Sequence, residues 1–413
     1  MSRISELLRK SAPDGVEFVP LAKLFSIRNG YTPPKSDSSA WADGTVPWFR
    51  MEDIRENGRV LHDALQHVAE SAVKGSGPFP AHSLLVATSA TIGEHALITV
   101  PHLANQRFTS LTPRPEYHSR LDMKFAHYYC FVLDEWCKSN TTVSSFPSVD
   151  MVRFREFRFP LPPLEVQREI VRILDTFTEL EAELEAELEA ELEARKQQYR
   201  AYRDTHLTFI GRDDVPWLRL GQLTRDPLSS GRSVRDGNGY PVLRLTSLRS
   251  SVVDTRESKL GAWNASEGRR YRIESGDLLL ARGNGSKELL ARACMVEHTE
   301  EVAFPDTMIR VRPDAAVVTP RYLLHAWNSH AVRTQIDKIA KRTSGVWKIS
   351  QSDLERVIVP VPGIEEQRKI AGLLDKLSAL SDDLQSGLLA EIEARRQQYA
   401  YHRDRLLSFE EAV

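Results

Sequence analysis

Arginine is the side chain that sets the second half of this sequence apart. Residues 210–359 contain nineteen Arg and five Lys. The guanidinium group is planar and always charged, and its parallel N–H donors match two acceptors of guanine or two oxygens of a phosphate. This composition indicates binding to a polyanion such as a nucleic acid.

The charge balance supports the same interpretation when it is taken in blocks. The 413 residues hold 55 basic and 57 acidic side chains, a net charge of −2. Residues 1–159 and 210–359 carry +1 and +6, whereas residues 160–209 and 360–413 carry −6 and −3. Basic blocks separated by acidic ones suit a polyanion that is contacted by the basic blocks, since neutralised phosphates supply much of the affinity for DNA.

The sequence contains no motif with a catalytic mechanism. Gly283–Lys287 lacks the spacing of a phosphate-binding loop, and no HExxH, nucleophile elbow, adenine-methyltransferase signature or paired-carboxylate spacing occurs. The twelve His are scattered, and Cys130, Cys137 and Cys294 have no CxxC spacing, so neither a metal site nor a disulfide framework is expected. The absence of catalytic motifs predicts a chain that is non-catalytic by itself. Unpaired Cys and the lack of an apolar run of about 20 residues predict a cytoplasmic protein without a membrane span.

One internal repeat organises the chain. Residues 160–209 and 360–409 agree at 23 of 50 positions at an ungapped offset of 200. The preceding segments are less alike but share a plan, in which Pro47–Arg50 resembles Pro241–Arg244. The repeat predicts four parts, which are globular residues 1–159, a helix within 160–209, globular residues 210–359 and a helix within 360–413.

Each copy of the repeat predicts one long helix. Prolines at 160, 162 and 163, and at 360 and 362, favour extended backbone before it, and no Pro or Gly follows between Glu165 and Leu207. About 45 residues at 1.5 Å each give a helix of roughly 65 Å. The second helix contains Gly372 and Gly387, each of which costs about 1 kcal/mol relative to Ala.

The middle of the first helix has Leu at every fourth residue, among eight Glu between residues 179 and 193. A four-residue step turns about 400°, so the Leu stripe drifts by about 40° per repeat, and so many i,i+4 Glu pairs disfavour a lone helix. We expect the second helix to cover the stripe in antiparallel orientation, with the numbers of facing residues summing to 572, which brings Glu169 near Arg403. Because the period is four, sums of 568 and 576 are competing registers. The expected helix-pairing residues are Leu180, Leu184, Leu188, Leu192, Leu380, Leu384, Leu388 and Ile392.

An antiparallel pair made from two halves of one chain has an approximate twofold axis, and we expect the two globular parts at its opposite ends. Dimeric DNA-binding proteins use this geometry to read two half-sites on one duplex. The predicted fold class is α+β, with two globular domains separated by two long antiparallel α-helices in a coiled coil with pseudo-twofold symmetry.

The duplicated signature resembles that of a known family. Each globular part is followed by P-L-P-P-L-x-x-Q-x-x-I-x-x-I-L-D and then by a helix that ends A-R-x-Q-Q-Y-x-x-Y-R-D. The two parts of the signature lie at Pro160–Asp175 and Ala194–Asp204, and again, with small departures, at Pro360–Asp375 and Ala394–Asp404. This organisation is similar to the specificity subunit of type I restriction–modification enzymes.

The resemblance implies that each globular part is a target-recognition domain, which reads one half of a bipartite, asymmetric sequence in double-stranded DNA. The helices would space the halves and dock two methyltransferase subunits, and restriction subunits would complete the nuclease and translocase. S-adenosylmethionine, ATP and Mg²⁺ would belong to those partners, so no cofactor and no metal is expected on this chain.

Base readout requires exposed polar side chains on loops. In residues 1–159 the candidates are Tyr31, Thr32, Arg50, Thr88, Ser89, Thr91, Asn105, Gln106 and Arg107. In residues 210–359 the candidates are Arg232, Arg244, Arg282, Asn284, Lys287, Lys341, Arg342 and Lys348.

Four residues at the helix starts are candidates for docking a partner subunit: Gln167, Arg168, Gln367 and Arg368. Their alternative role is capping of the helix N-termini. For the whole chain, two other functions stay open at this point. A structural coiled-coil adaptor would bind duplex DNA without salt dependence or not at all, and a fused enzyme would methylate or cleave DNA by itself.

Overall fold

The computed structural model describes residues 3–142, 147–343 and 345–412. The chain divides into two compact units. Unit 1 consists of Met1–Ala186 and Glu391–Val413, and unit 2 consists of Glu187–Ala390. Each unit therefore combines one globular part with a section of both long helices.

Unit 1 is built from short strands around one central helix. Its strands are β1 (Phe18–Pro20), β2 (Phe25–Asn29), β3 (Val46–Phe49), β4 (Val60–Leu61), β5 (His67–Val68), β6 (Ser83–Ala87), β7 (His95–Ile98), β8 (Leu103–Ala104), β9 (Phe108–Pro113), β10 (Thr141–Thr142), β11 (Ser148–Val149) and β12 (Arg158–Pro160). Its helices are α1 (Arg3–Ser11), α2 (Leu21–Leu24), α3 (Met51–Asn57), α4 (Met123–Ser139), α5 (Met151–Glu156), the first part of α6 (Leu164–His206) and the end of the second long helix. Five strands form a sheet of order β2-β9-β6-β7-β4, and β5-β3-β8 form a second sheet.

Unit 2 repeats this plan with different strand lengths. Its strands are β13 (Trp217–Arg219), β14 (Ser229–Ser230), β15 (Asp236–Leu243), β16 (Ser258–Gly261), β17 (Arg272–Ile273), β18 (Leu278–Ala281), β19 (Gly283–Asn284), β20 (Ala293–Met295), β21 (Glu300–Ala303), β22 (Met308–Val311), β23 (Lys341–Thr343), β24 (Val346–Lys348) and β25 (Ile358–Pro360). Its helices are the second part of α6, α7 (Ala265–Gly268), α8 (Pro320–Trp327), α9 (His330–Ile339), α10 (Gln351–Glu355) and the first part of α11 (Ile364–Leu406). The sheets have the orders β14-β22-β18-β20, β16-β15-β21-β17 and β19-β24-β23.

The central strand of each main sheet is buried on both faces, which explains its continuous apolar sequence. In β6, Leu84 packs into the core that contains α4, whereas Leu85 packs into a second core on the opposite face. In β18, Leu278 and Leu279 divide in the same way between two cores. Alternate side chains of a strand point to opposite faces, so a strand between two cores needs apolar residues at every position.

The two long helices confirm the prediction from composition. Both contain 43 residues and follow a proline-bounded strand, β12 or β25, as expected. The second helix runs without a break through Gly372 and Gly387. Within the described residues, no helix combines the length and apolar content that a membrane span requires. All three Cys are free and buried.

In unit 1 the helices lie antiparallel, as predicted, but not in the expected register. Thr178 contacts Tyr399 through their hydroxyls at 3.3 Å, whereas the sum of 572 places Thr178 opposite Ala394. Arg396 further pairs with Glu185 at 2.7 Å. The competing sum of 576 places Thr178 opposite Gln398, next to the observed partner, so the observed pairing lies nearer that register.

Three of the expected helix-pairing residues are not in an apolar seam. Leu180 is 56% exposed, Leu380 is 58% exposed and Leu384 is 38% exposed. The other five of the set, Leu184, Leu188, Leu192, Leu388 and Ile392, are half-buried. A stripe with a four-residue period winds around a 3.6-residue helix, so it cannot face one partner along its whole length.

The expected approach of Glu169 to Arg403 is also wrong. Glu169 accepts two hydrogen bonds from Arg172, at 2.8 and 3.0 Å, which hold the pKa of its carboxyl below the ordinary value. Arg403 instead lies over the ring of Phe131, with 4.1 Å between its guanidinium carbon and the ring centroid. Arg3 of α1 also lies 3.9 Å from the Glu169 carboxylate, so the cationic partners of Glu169 come from α6 and α1.

The repeated Asp of the signature joins each globular core to the long helices. In unit 1, the Tyr128 hydroxyl of α4 donates to Asp175 at 2.7 Å. In unit 2, His325 of α8 contacts Asp375 through Nε2 at 2.8 Å and the Tyr199 hydroxyl through Nδ1 at 3.1 Å. Both units therefore anchor the helix that follows their sheet at the same position of the repeat.

Candidate nucleic-acid interface

Several strand ends of unit 1 meet at one edge, which we call the loop edge of unit 1. Because β2, β9 and β6 are antiparallel neighbours, the end of β2, the start of β9 and the end of β6 lie on the same side. Three backbone bonds tie the loops there: Gly30 N–H to Phe108 O at 2.8 Å, Tyr31 N–H to Ala104 O at 2.8 Å, and Thr88 N–H to Arg107 O at 3.0 Å. This edge gathers all nine candidates from the first globular part.

Gly30 is required for this close approach. A Cβ atom at this position would lie 2.1 Å from the carbonyl oxygen of Asn105. The hydroxyl of Thr32 donates to the side-chain oxygen of Gln106 across the same gap. The loop after β2 and the loop before β9 are thereby fixed against each other, with Gln106 and Arg107 exposed.

Arg50 joins the same edge from the other sheet. The backbone N–H of Asn105 donates to Phe49 O at 3.0 Å, which places Arg50 beside the loop before β9. The guanidinium of Arg50 lies 5.7 Å from the ring of Trp48. Its Nε is buried without a hydrogen-bond partner among the described residues. The half-buried side chain is therefore held by the indole and retains unused donors.

Three of the nine candidates support the loops instead of presenting polar atoms to a ligand. Tyr31 donates its hydroxyl to Ala72 O, and its ring packs in an apolar cluster with Trp48. Thr88 is buried and its hydroxyl bonds that of Thr109 at 2.9 Å. Thr91 Oγ1 is buried as well. Short polar residues at strand ends serve packing as well as binding, and the sequence does not distinguish the two.

Ser89 occupies a third kind of position. It pairs with Ser148 of β11 in an isolated antiparallel bridge. This contact attaches the hairpin of β10 and β11 to the loop edge; residues 143–146 between these strands lie outside the described residues. Thr32, Arg50, Ser89, Asn105, Gln106 and Arg107 stay predictions for DNA contacts.

The loop edge of unit 2 has the same backbone frame. Gly231 N–H donates to Met308 O, Arg282 N–H to Thr307 O at 2.8 Å, and Ile349 N–H to Arg282 O at 3.1 Å. A Cβ atom on Gly231 would lie 2.0 Å from Phe304 O, so Gly231 corresponds to Gly30. Arg282 accordingly takes the place that Thr88 has in unit 1.

Six of the eight candidates in unit 2 converge on the small sheet β19-β24-β23. Gly283 is paired with Lys348, Asn284 with Trp347, and Lys341 with Lys348. Lys287 lies with its Nζ 5.1 Å from the Trp347 ring, and the guanidinium of Arg342 lies 5.8 Å from the same ring. The converging candidates are Arg282, Asn284, Lys287, Lys341, Arg342 and Lys348.

The remaining two candidates flank this sheet. Arg244 is exposed at the end of β15, next to a cleft of about 250 Å³ between Leu245–Arg249 and Asn284. Arg232 follows Gly231 and is paired with Glu267 at 3.3 Å, with both side chains exposed. An exposed pair of this kind contributes well under about 1 kcal/mol, so a phosphate readily competes with Glu267.

Sequence reasoning missed two parts of these edges. Trp347 was not predicted, although it lies between Arg342 and Lys348 and forms the centre of the basic sheet. The hairpin at 141–149 of unit 1 was not predicted either. It lies at an offset of 200 from the basic hairpin of unit 2, so the repeat extended backwards would have indicated it.

The candidates for partner docking differ in their surroundings. Gln167 is fully buried; its amide donates to Arg120 O at 2.7 Å and Pro162 O at 2.6 Å and accepts from Asp122 N–H at 2.8 Å. Gln367 repeats this network with Val317, Pro362 and Thr319. Both glutamines are thus removed from a docking surface. Arg168 and Arg368 are exposed and stay candidates.

A neutral, buried histidine lies next to the loop edge of unit 1. His102 precedes β8 and packs between the rings of Phe49 and Phe79, each with a centroid separation of 5.5 Å. Its Nδ1 bonds Val100 O at 2.8 Å, and burial lowers its pKa to about 4. The ring therefore stays uncharged at neutral pH and adds no charge to the edge.

A second buried cluster lies between α4 and β7. His95 Nδ1 is 2.6 Å from Asp134 Oδ2, and the ring of His127 packs against that of His95. Burial raises the pKa of Asp134 to about 7, and burial lowers the pKa of both histidines well below the ordinary value. The cluster is a structural feature of the core.

Comparisons with known proteins agree with the two-unit organisation. The family model described as "Type I restriction modification DNA specificity domain" matches residues 13–194 and 222–394. The chain is 40% identical over 402 residues to the "Type I restriction enzyme EcoprrI specificity subunit" of Escherichia coli, with 93% of each chain covered. It is 23% identical over 401 residues to the "Type I restriction enzyme EcoKI specificity subunit" of Escherichia coli strain K12, covering 90% of this chain and 84% of the relative.

Two solved structures share the fold. A chain from the structure described as "Structural basis underlying complex assembly and conformational transition of the type I R-M system" superposes with a TM-score of 0.69 at 17% identity, covering 95% of this chain and 97% of that chain. The HsdS subunit from Thermoanaerobacter tengcongensis gives a TM-score of 0.52 at 16% identity, covering 95% and 96%.

Proposed function

The chain belongs to the family of type I restriction–modification DNA specificity subunits, and we propose that each of its units reads one half of a bipartite sequence in double-stranded DNA. Family membership favours this function over the coiled-coil adaptor that the sequence left open. The loop edge of unit 1 reads one half-site and the loop edge of unit 2 reads the other.

One observation carries this proposal: the two loop edges share a backbone frame but not their side chains. Gly30 and Gly231 make the same close approach, and the N–H groups of Thr88 and Arg282 donate to carbonyls of equivalent residues. The small neutral side chain of Thr88 in unit 1 is replaced by the long cationic side chain of Arg282 in unit 2. A common frame with different donors and acceptors is what two unlike half-sites require, because bases are distinguished by their hydrogen-bonding patterns.

The partner subunits follow from the same proposal. Two methyltransferase subunits dock on the helix starts, where Arg168 and Arg368 are exposed, and restriction subunits complete the assembly. Twofold repetition of the signature supports two equivalent docking sites. The chain itself contributes recognition and no chemical step, and S-adenosylmethionine, ATP and Mg²⁺ bind to the partners.

Sequencing of methylated bases in a host that carries this chain and its partner subunits tests the proposal. We expect one bipartite motif, made of two unlike half-sites and an unread spacer, that disappears when this chain is deleted. Replacing the loop-edge residues of unit 2 with those of a relative is expected to change one half-site and to leave the other unchanged. A change in both half-sites, or a motif without a spacer, contradicts the assignment of one half-site to each unit.

Two other outcomes identify the competing functions. Methylation or cleavage of DNA by the purified chain alone indicates an enzyme. Duplex binding that is absent, or independent of salt, in the assembled complex indicates an adaptor, since DNA contacts to phosphates always weaken as salt increases.

A further inference from the structure

The three-stranded sheet of unit 2 carries an unusual concentration of unpaired cations. Lys341, Arg342 and Lys348 are exposed, and Lys341 is directly opposite Lys348 across the two strands. Like charges placed opposite each other destabilise a strand pair. The hairpin of β23 and β24 is therefore destabilised by charge repulsion in the free protein, and a bound polyanion would reduce this repulsion.

Elsewhere in unit 2, several arginines are neutralised by neighbouring carboxylates. Arg256 pairs with Asp254 at 2.9 Å, and Arg272 pairs with Glu301 at 3.0 Å. Arg312 pairs with Asp277 at 2.7 Å. In contrast, Arg282, Lys287, Lys341, Arg342 and Lys348 make no ion pair with any described residue. These five cations therefore keep their full charge and are grouped at one small sheet.

Trp347 holds this sheet and its cations together. One side of the indole packs against the core of unit 2. Lys287 and Arg342 lie within 5.1 and 5.8 Å of its ring centroid, the range in which an aromatic face attracts a cation. These contacts restrict two long side chains before any ligand arrives, which lowers the entropy cost of binding.

The equivalent hairpin of unit 1 has no such charge. Its attachment is the same, because Val149 N–H donates to Thr88 O at 2.9 Å as Ile349 N–H donates to Arg282 O. The sequence from 140 to 149 nevertheless contains no Lys, Arg, Asp or Glu, and Thr141 and Thr142 stand where unit 2 has Lys341 and Arg342. One frame therefore carries a basic hairpin in unit 2 and a neutral hairpin in unit 1.

From this contrast we propose that the β23–β24 hairpin is a phosphate-binding element of unit 2, with Trp347 as its positioning residue, and that DNA backbone affinity is carried unequally by the two halves. The inference rests on the proposed function, since it presupposes that the loop edges face DNA. The hairpin binds phosphates beside the second half-site and does not read bases. Base readout in unit 2 falls to the adjacent residues Arg244, Arg282 and Asn284.

The test replaces the three hairpin cations with their counterparts from unit 1, as K341T, R342T and K348S in one variant. Binding of the assembled complex to a duplex of random sequence is measured against salt concentration. Each phosphate contact contributes about 0.9 to the slope of log K against log salt, so the variant slope is expected to be shallower by about 2–3. The methylated sequence is expected to stay the same in both half-sites.

A second triple variant controls for overall charge. R225Q, R256Q and R269Q remove three exposed, ion-paired arginines from the same unit and should change the slope by less than about one. Trp347→Ala removes no charge but releases Lys287 and Arg342, so it is expected to weaken random-duplex binding, whereas Trp347→Phe keeps a ring and most of the affinity.

Three results overturn the inference. The first is a wild-type slope in the K341T/R342T/K348S variant, and the second is an equal loss in the control variant. The third is a changed second half-site, which would make the hairpin a base-reading element. Failure of the proposed function is visible separately, because wild-type complex would then methylate no bipartite sequence whatever the slopes.

Discussion

The buried glutamines at the helix starts give the sharpest test of the structure against the sequence. We expect Gln367→Ala to destabilise unit 2 strongly. The side chain is fully buried, donates to Val317 O at 3.0 Å and Pro362 O at 2.8 Å, and accepts from Thr319 N–H at 2.8 Å. Truncation leaves three backbone groups without partners.

The expected magnitude follows from these three bonds. A buried polar group that loses its partner costs about 1–3 kcal/mol, and a water molecule in the vacated space recovers part of this cost. Taking the lower value for each group gives a loss of about 3 kcal/mol. For a unit of about 200 residues this lowers the melting temperature by roughly 6–12 °C.

Thermal unfolding of the full chain measures this loss, and hydrogen exchange at the amide of Thr319 locates it, because that N–H loses its acceptor. Gln367→Glu should be at least as damaging, since a carboxylate cannot donate to the two carbonyls. Gln167→Ala should act equally on unit 1, where the same three bonds occur.

Arg368→Ala is the matched control. Its side chain is 64% exposed and pairs only with Glu365 one turn away among the described residues, so its loss should cost less than about 0.5 kcal/mol. If Gln367→Ala instead melts like the wild type but no longer binds a methyltransferase subunit, the reasoning is refuted and the docking role of this residue is restored.

Three further predictions concern the helices and the core. Gly372→Ala and Gly387→Ala should each raise stability by about 1 kcal/mol, because an added Cβ meets no atom within 4 Å; unchanged or lower melting temperatures would contradict this. Deleting Glu185–Leu188 shortens the first helix by about 6 Å, so the spacer of the methylated motif should change while both half-sites persist; altered half-sites would contradict it. His102 has its pKa held at about 4, below the value of about 6.5 of an unfolded chain, so the folded state binds fewer protons between these values and its stability is lost as pH falls from 6.5 toward 4. H102F should flatten the dependence of the urea midpoint on pH in this window, and an equal slope in both proteins would exclude His102 as a cause.

The sequence predicts the elements of this fold that depend on composition alone. Pro and Gly placement correctly predicts the two long helices and the extended segments before them. The antiparallel orientation in unit 1 was also correct. The register was not, because a Leu at every fourth residue offers equivalent pairings at each step, and the choice is made by contacts such as Thr178 with Tyr399.

The candidate site residues were also predicted only in part. The loop edges gathered the candidates because Gly, Thr and Asn cluster where strands end. The sequence does not predict which of them point outward. Thr88 and Arg107 are both polar and are joined by one backbone hydrogen bond, yet Thr88 is buried and Arg107 is exposed. Burial depends on packing against β9, a strand that is distant in sequence, so the local sequence around each residue does not predict it.

Residues that are identical in the two copies of the repeat also have a different role from the partner docking that the sequence predicted. Gln167 and Gln367 are identical because both lock a helix start to a proline-bounded strand, and Asp175 and Asp375 because both anchor a core helix. Such roles are internal to a unit, so duplication preserves them without any partner.

Positions that differ between the two loop edges are, in turn, those at which we expect contacts with DNA. Ser148 and Lys348 occupy equivalent places in one shared backbone frame, and neither side chain lies in a core. If the units read unlike half-sites, these are the positions at which selection must separate the copies. Exchanging side chains between the exposed frame positions of the two loop edges, one position at a time, should therefore alter half-site sequence or phosphate affinity without lowering the melting temperature.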